Sequence, residues 1–148
     1  MGYLQYGVMS YDLERFVSAQ DEGTYDQALA ELRAGRKTSH WMWFVFPQIA
    51  GLGSSPMAQK YAIAGADEAR AYLAHPVLGP RLAEASRAAL ESGTTDPDVL
   101  LGGIDAMKFR SSMTLFQAVS DDDAQALFTD VLETFYGGEP DPETLNRL

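Results

Sequence analysis

The sequence predicts an all-α fold, a compact irregular single domain of about seven to nine mostly short helices. Three observations carry this expectation. Apolar residues recur at helical spacing, and no run sustains the strict alternation of a half-buried strand. Capping residues and Gly or Pro stops bracket the periodic segments. The third is composition: 148 residues, 46% of them apolar, suffice for one core and argue against wholesale disorder.

The elements follow in order. In "SYDLERFVSAQ", Leu13, Phe16 and Val17 share a face behind a possible Ser10 cap. In "TYDQALAELRAG", Thr24 can cap, Tyr25, Ala28, Leu29 and Leu32 share a face, and Gly35 supplies the stop. "GLGSSP" lacks the spacing of a phosphate loop and reads as a turn, with Ser54 or Ser55 capping the helix after Pro56. "SPMAQKYAI" and "ADEARAYLAH" are Ala-rich helices. Pro76 opens the next helix, through "RLAEASRAALESG", with His75 at or beside its cap. "DPDVLLGG" is a short helix or turn before "IDAMKFRSSMTLFQAVS", where apolar residues show no clean period and a helix is favoured over a strand. "DDAQALFTDVLETFYGG" is strongly amphipathic, with three Asp at its dipole-positive start and Gly137 as its stop, and "DPETLNRL" makes a last turn. Residues 1–9 show no period and are expected to be an N-terminal extension, disordered or introduced by cloning, ahead of a domain spanning 10–148.

Composition removes several function classes. With no Cys, thiolate metal sites, iron–sulfur clusters and thiol catalysis are excluded, and two His, His40 and His75, give no metal-ligand spacing. No cofactor motif appears. A formal charge of −10 opposes general binding to nucleic acid or anionic lipid. No apolar run approaches the roughly 18 residues of a membrane span, so a cytoplasmic protein is expected.

The sharpest signal is charge placement. From Leu32 to Ala66 there is no Asp or Glu, where the overall acid density would give about five. Arg33, Arg36, Lys37, His40 and Lys60 stand there, beside Trp41, Trp43, Phe44 and Phe46. Residues 121 to 148 hold eight acids against the single Arg147. A second segment, "DAMKFRSSMTLF", places Lys108, Arg110, Ser111, Ser112 and Thr114 among apolar residues. Two cations and several hydroxyls beside backbone N–H groups suit a phosphate or carboxylate.

If the two segments meet, they form a cationic cleft. Its ligand-binding candidates are Arg36, Lys37, Trp41, Trp43, Gln48, Lys108, Arg110, Ser111 and Ser112, with Trp41 or Trp43 as an aromatic wall. His40 is the candidate for proton transfer if the protein is an enzyme. Each residue has a plainer alternative: the aromatic residues as core, Arg33 and Arg36 solvated or paired with acids such as Glu31, His40 as a hydrogen-bonded structural group, and the serines as helix contacts.

The blocks "LERFVSAQ", "ALAELRAGRKTSHWMWFVFPQIAGLGSS", "YAI", "AYLAHPVLGPRL", "GGIDAMKFRSSMTLF" and the late "FYGG" resemble, in this order, a bacterial family known as domain of unknown function 1810. The resemblance covers about residues 11 to 148. It implies a compact, mainly helical single domain and no particular activity. The calpastatin label often attached to that family fits poorly, because that inhibitor class is disordered whereas this chain has the composition of a packed core.

The expected function is binding of a small anionic, phosphorylated or nucleotide-like ligand, with hydrolysis or group transfer more in keeping than redox chemistry if there is a reaction at all. The competing expectation is a non-catalytic protein-interaction module. A binding site requires the basic side chains to converge on one concavity with free heads. The alternative requires them paired or scattered, with an apolar patch exposed.

Overall fold

The computed structural model describes residues 11–148, so the expected Ser10 cap and the extension at residues 1–9 lie outside the described residues. Within them the fold is all-α, as expected. Ten helices appear in order: α1 Glu14–Gln20, α2 Thr24–Ala34, α3 Met42–Val45, α4 Pro56–Lys60, α5 Ala66–Ala74, α6 Leu78–Leu90, α7 Pro97–Leu101, α8 Gly103–Val119, α9 Asp122–Tyr136 and α10 Pro142–Asn146. The count exceeds seven to nine partly because the aromatic run closes a single helical turn at α3, which no periodicity announces.

The centre is α8, which packs against α9, α7, α5, α10 and α3. Every residue from Ser111 to Phe116 is buried. This stretch of α8 is enclosed on all sides and has no polar face, while its first turns expose the apolar Ile104 and Met107, which is why the sequence lacks an amphipathic period. Around it stack Phe46 on Phe109 at 4.6 Å, Tyr72 on Phe116 at 5.3 Å and Phe128 on Phe116 at 6.1 Å. Each such ring, fully buried, contributes roughly 1.5–3 kcal/mol through area removed from water.

Local chemistry sets the ends. Ser55 Oγ accepts the N–H of Ala58, capping α4 behind Pro56. Thr24 does not cap α2; Gly23, left-handed at φ +87°, sets the entry, and Thr24 is already helical. The α6 helix begins at Leu78, two residues beyond Pro76, and His75 caps it through Nδ1, which accepts the N–H groups of Val77 at 3.1 Å and Leu78 at 3.2 Å. Residues 46–65 carry no long helix. They are tied by one parallel bridge, Ile63 N–H to the Gln48 carbonyl and Ala50 N–H to the Ile63 carbonyl, both 2.8 Å.

Two polar hubs fasten this irregular stretch and the α3 turn before it. Arg15 on α1 donates to the carbonyls of Lys60 and Ala62 and pairs with the buried Glu68 at 3.0 Å, while Glu68 also accepts the Ala64 N–H. Gln20 donates to the Phe44 carbonyl at 2.7 Å and accepts from Arg81.

Candidate functional site

The site begins at the end of α2. Gly35 is left-handed at φ +83° and turns the chain back over Glu31. That carboxylate, 5% exposed, accepts the backbone N–H groups of Thr38 (2.7 Å) and Ser39 (3.0 Å), the indole N–H of Trp41 (2.9 Å), the Ser39 hydroxyl and the Gln27 amide. Burial alone would disfavour the charge. The donors outweigh it and hold the Glu31 carboxyl well below the usual carboxylate range. The loop from Arg36 to Trp41 is therefore folded around an anion supplied by the preceding helix.

That loop delivers Lys37. Its backbone N–H reaches the Leu100 carbonyl at 2.7 Å, and its ammonium lies 2.9 Å from Asp105 Oδ2. Asp105 is available because α7 runs into α8 through Gly102 alone, whose φ of +87° with ψ of 157° permits an abrupt turn. Lys108, one turn along α8, meets the other oxygen of the same carboxylate at 3.7 Å. Each lysine also stands over an indole, Lys37 over Trp41 at 5.2 Å and Lys108 over Trp43 at 5.0 Å. The two basic segments thus converge, with Asp105 between them.

Beside Lys108 opens a cleft of about 360 Å³ between α8, the 48–53 segment and the start of α10. Leu52, Ile104 and Met107 form its apolar wall; Gln48, Lys108, Arg110, Ser111, Asp141 and Glu143 supply its polar groups. The polar groups differ in what they have left to give. Arg110 donates to the carbonyls of Glu139 and Pro140, both at 2.9 Å, and so clamps the turn after α9. Ser111 donates to Asp141 Oδ2 at 2.8 Å, which Thr144 also donates to at 2.6 Å, and the Asp141 N–H returns to Thr114. Burial opposes the Asp141 charge, but these hydroxyls and nearby backbone N–H groups lower its pKa overall. Lys108 alone shares its counter-ion.

The remaining candidates fall elsewhere. Trp41 (1% exposed) and Ser112 (0%) are enclosed in the core and cannot meet a ligand; the Ser112 hydroxyl has no partner among the described residues. Trp43 is half-buried behind Lys108 rather than in the cleft lining, and its indole N–H is likewise unpartnered. Arg36 and Lys37 line a separate concavity of about 460 Å³ with Asp98, Val99, Leu101 and Gly102. His40 is exposed and lines neither this concavity nor the cleft, nor the third concavity between α6 and α9. Glu31 is not a partner for Arg33, which makes a long 3.8 Å contact with Glu84. Among the described residues no group of His, Asp and Glu could hold a metal ion, and no helix is long and apolar enough to cross a membrane.

Sequence reasoning missed Leu52, Ile104, Met107, Asp141 and Glu143 as cleft residues. The one legible signal was the spacing of Asp105 and Lys108, three apart on a helix and therefore neighbours.

The family described as "Protein of unknown function (DUF1810)" matches residues 10–148. The crystal structure of the conserved hypothetical protein Rv1873 from Mycobacterium tuberculosis is similar, with a TM-score of 0.88 and 46% sequence identity over 93% of this chain and 96% of that one. No curated protein matches.

Proposed function

Starting from a chain that belongs to the DUF1810 family, whose description assigns no activity, we propose that it binds a small molecule in the α8 cleft. An anionic group of the ligand sits against Lys108, and an apolar body lies on Leu52, Ile104 and Met107. The carrying observation is the sharing of Asp105: Lys37 neutralises it at 2.9 Å, so Lys108 at 3.7 Å is a second cation on one carboxylate. That leaves Lys108 without a counter-ion of its own at the cleft wall. The volume of about 360 Å³ falls in the range of small-molecule sites, and apolar walls with a few polar groups are their usual chemistry.

The reading assigns binding and no reaction, since His40 stands outside the cleft. It is tested by thermal shift against carboxylates, monophosphates, sugar phosphates, nucleotides and ADP-ribose. A ligand that raises the melting temperature should lose its effect in Lys108→Met and keep it in Arg36→Ala, because Arg36 lines the other concavity. An unchanged response in Lys108→Met would sink the proposal.

One observation favours the protein-interaction reading. Ile104 and Met107, three residues apart on α8, are 74% and 71% exposed, unusual for large apolar side chains placed side by side. A flat result across the whole panel would move the weight to that reading.

A further inference from the structure

We propose that the ligand is zwitterionic, carrying an anionic group at one end and a cationic group at the other, separated by an apolar spacer. This rests on the small-ligand reading of the α8 cleft and names the class of molecule it takes. The observation is that charges of both signs, carried by two different helices, line one cleft. Lys108 and Arg110 come from α8, whereas Asp141 and Glu143 come from the start of α10, and Leu52, Ile104 and Met107 supply the apolar wall.

The four charges differ in how far they are already engaged. Arg110 is held by two N–H donors on the Glu139 and Pro140 carbonyls and lies 3.9 Å from the Glu139 carboxylate, and Asp141 accepts two hydroxyls. Lys108 and Glu143 are the less committed pair. The Glu143 side chain is 66% exposed and meets Arg147 only at 4.0 Å, while Lys108 shares Asp105 with the closer Lys37. A polyanion such as a nucleoside triphosphate would gain from Lys108 and be repelled by Glu143 and Asp141. A simple amine would meet the opposite balance. A molecule with both charges finds complementary potential at each end, and an alkyl or similarly apolar spacer covers Ile104 and Met107, which are otherwise in water. Amino acids with a long spacer, and their amide or betaine derivatives, have this chemistry.

The test uses the full chain and a matched set of straight-chain probes: ω-amino acids from γ-aminobutyrate to ω-aminooctanoate, with the carboxylate and the amine of equal length for each. Dissociation constants are read from amide chemical-shift titrations. The expected result is that at least one ω-amino acid binds about three- to fivefold more tightly than its carboxylate, the size of one partly exposed ion pair, with the amine weakest. Glu143→Gln should bring that ω-amino acid down to the level of its carboxylate without weakening the carboxylate. Lys108→Met should weaken both.

If every carboxylate binds as tightly as its ω-amino acid, or if Glu143→Gln leaves the preference intact, the zwitterion inference is overturned while the cleft remains an anion site. If no probe of any class shifts the resonances of cleft residues, both readings fall together. Glu143 is solvent-exposed at the start of a short helix, so its substitution leaves the fold in place, and an unchanged melting temperature verifies this.

Discussion

Replacing Glu31 by Gln tests whether the basic loop is organised by a buried anion. In the native protein Oε1 accepts three N–H donors, from Thr38, Ser39 and Trp41, and Oε2 accepts from Ser39 Oγ and Gln27. A glutamine oxygen can keep the first three. Its NH2 then faces the other two, which adjust by rotating, the hydroxyl to accept and the Gln27 amide to present oxygen. What is lost is charge assistance on three buried bonds, at about 1 kcal/mol each. Part of this is returned because a carboxylate no longer has to be desolvated, leaving an expected destabilisation of about 2 kcal/mol. Glu31→Ala should cost more, roughly 3–6 kcal/mol, since it strands the Thr38, Ser39 and Trp41 donors. The pH dependence has a definite sign. The folded-state pKa lies below the unfolded value of about 4.3. The contribution is therefore complete above that value and is lost as pH falls below it toward the folded pKa. Urea unfolding of wild type and Glu31→Gln, followed by far-ultraviolet circular dichroism, should give a gap of about 2 kcal/mol at neutral pH that shrinks on acidification below about pH 4.3. A gap under about 0.5 kcal/mol at neutral pH, or one that stays constant into acid, would refute the reasoning.

Two further pairs of substitutions test separate parts of the fold. Asp105→Asn strands Lys37, whose side chain is 9% exposed, and should cost about 2–3 kcal/mol, whereas Lys37→Met leaves Asp105 with Lys108 and should cost about 1 kcal/mol; equal losses in urea unfolding would contradict the shared-carboxylate geometry. His75→Ala removes the acceptor for the Val77 and Leu78 N–H groups and should cost about 1 kcal/mol, while His75→Asp, which can accept the same donors, should recover most of it; a melting temperature for His75→Asp no higher than for His75→Ala would rule out capping.

How far the sequence could be read depended on whether the information was local. Helix-terminal chemistry is local, so Gly35, Ser55 ahead of Pro56, and Gly137 were legible, as was the amphipathic α9. The central helix α8 was harder, because its middle, Ser111 to Phe116, is buried all round and its start exposes the apolar Ile104 and Met107, so no period survives. The cleft was only half legible. Lys108, Arg110 and Ser111 could be named from residue type, and they do line it. Asp141 and Glu143 could not, because they arrive from a turn some thirty residues away, positioned by Arg110 holding the Glu139 and Pro140 carbonyls. The aromatic candidates divide on a point that composition cannot reach. Trp41 is fixed in the core by its bond to Glu31, while Trp43, two residues on, stands under Lys108.

The acid-free stretch from Leu32 to Ala66 also acquires a different meaning from the one its charge first suggests. Most of what it needs in negative charge is supplied by residues just outside it or far from it in sequence. Glu31 takes the donors of its first loop, Asp105 takes Lys37, and Glu68 takes the Ala64 N–H together with Arg15, which also holds two of the segment's carbonyls. The window is therefore largely an irregular segment fastened by acids from elsewhere; of its four cations Lys37 is closely paired and Arg33 loosely so, while Arg36 and Lys60 have no ion pair among the described residues. The functional question reduces to what remains after internal pairing. Lys37 is consumed, Arg110 holds a turn, and Arg36 belongs to another concavity; Lys108, sharing an already neutralised Asp105 and lining the same cleft as Glu143, is the cation left to meet a ligand.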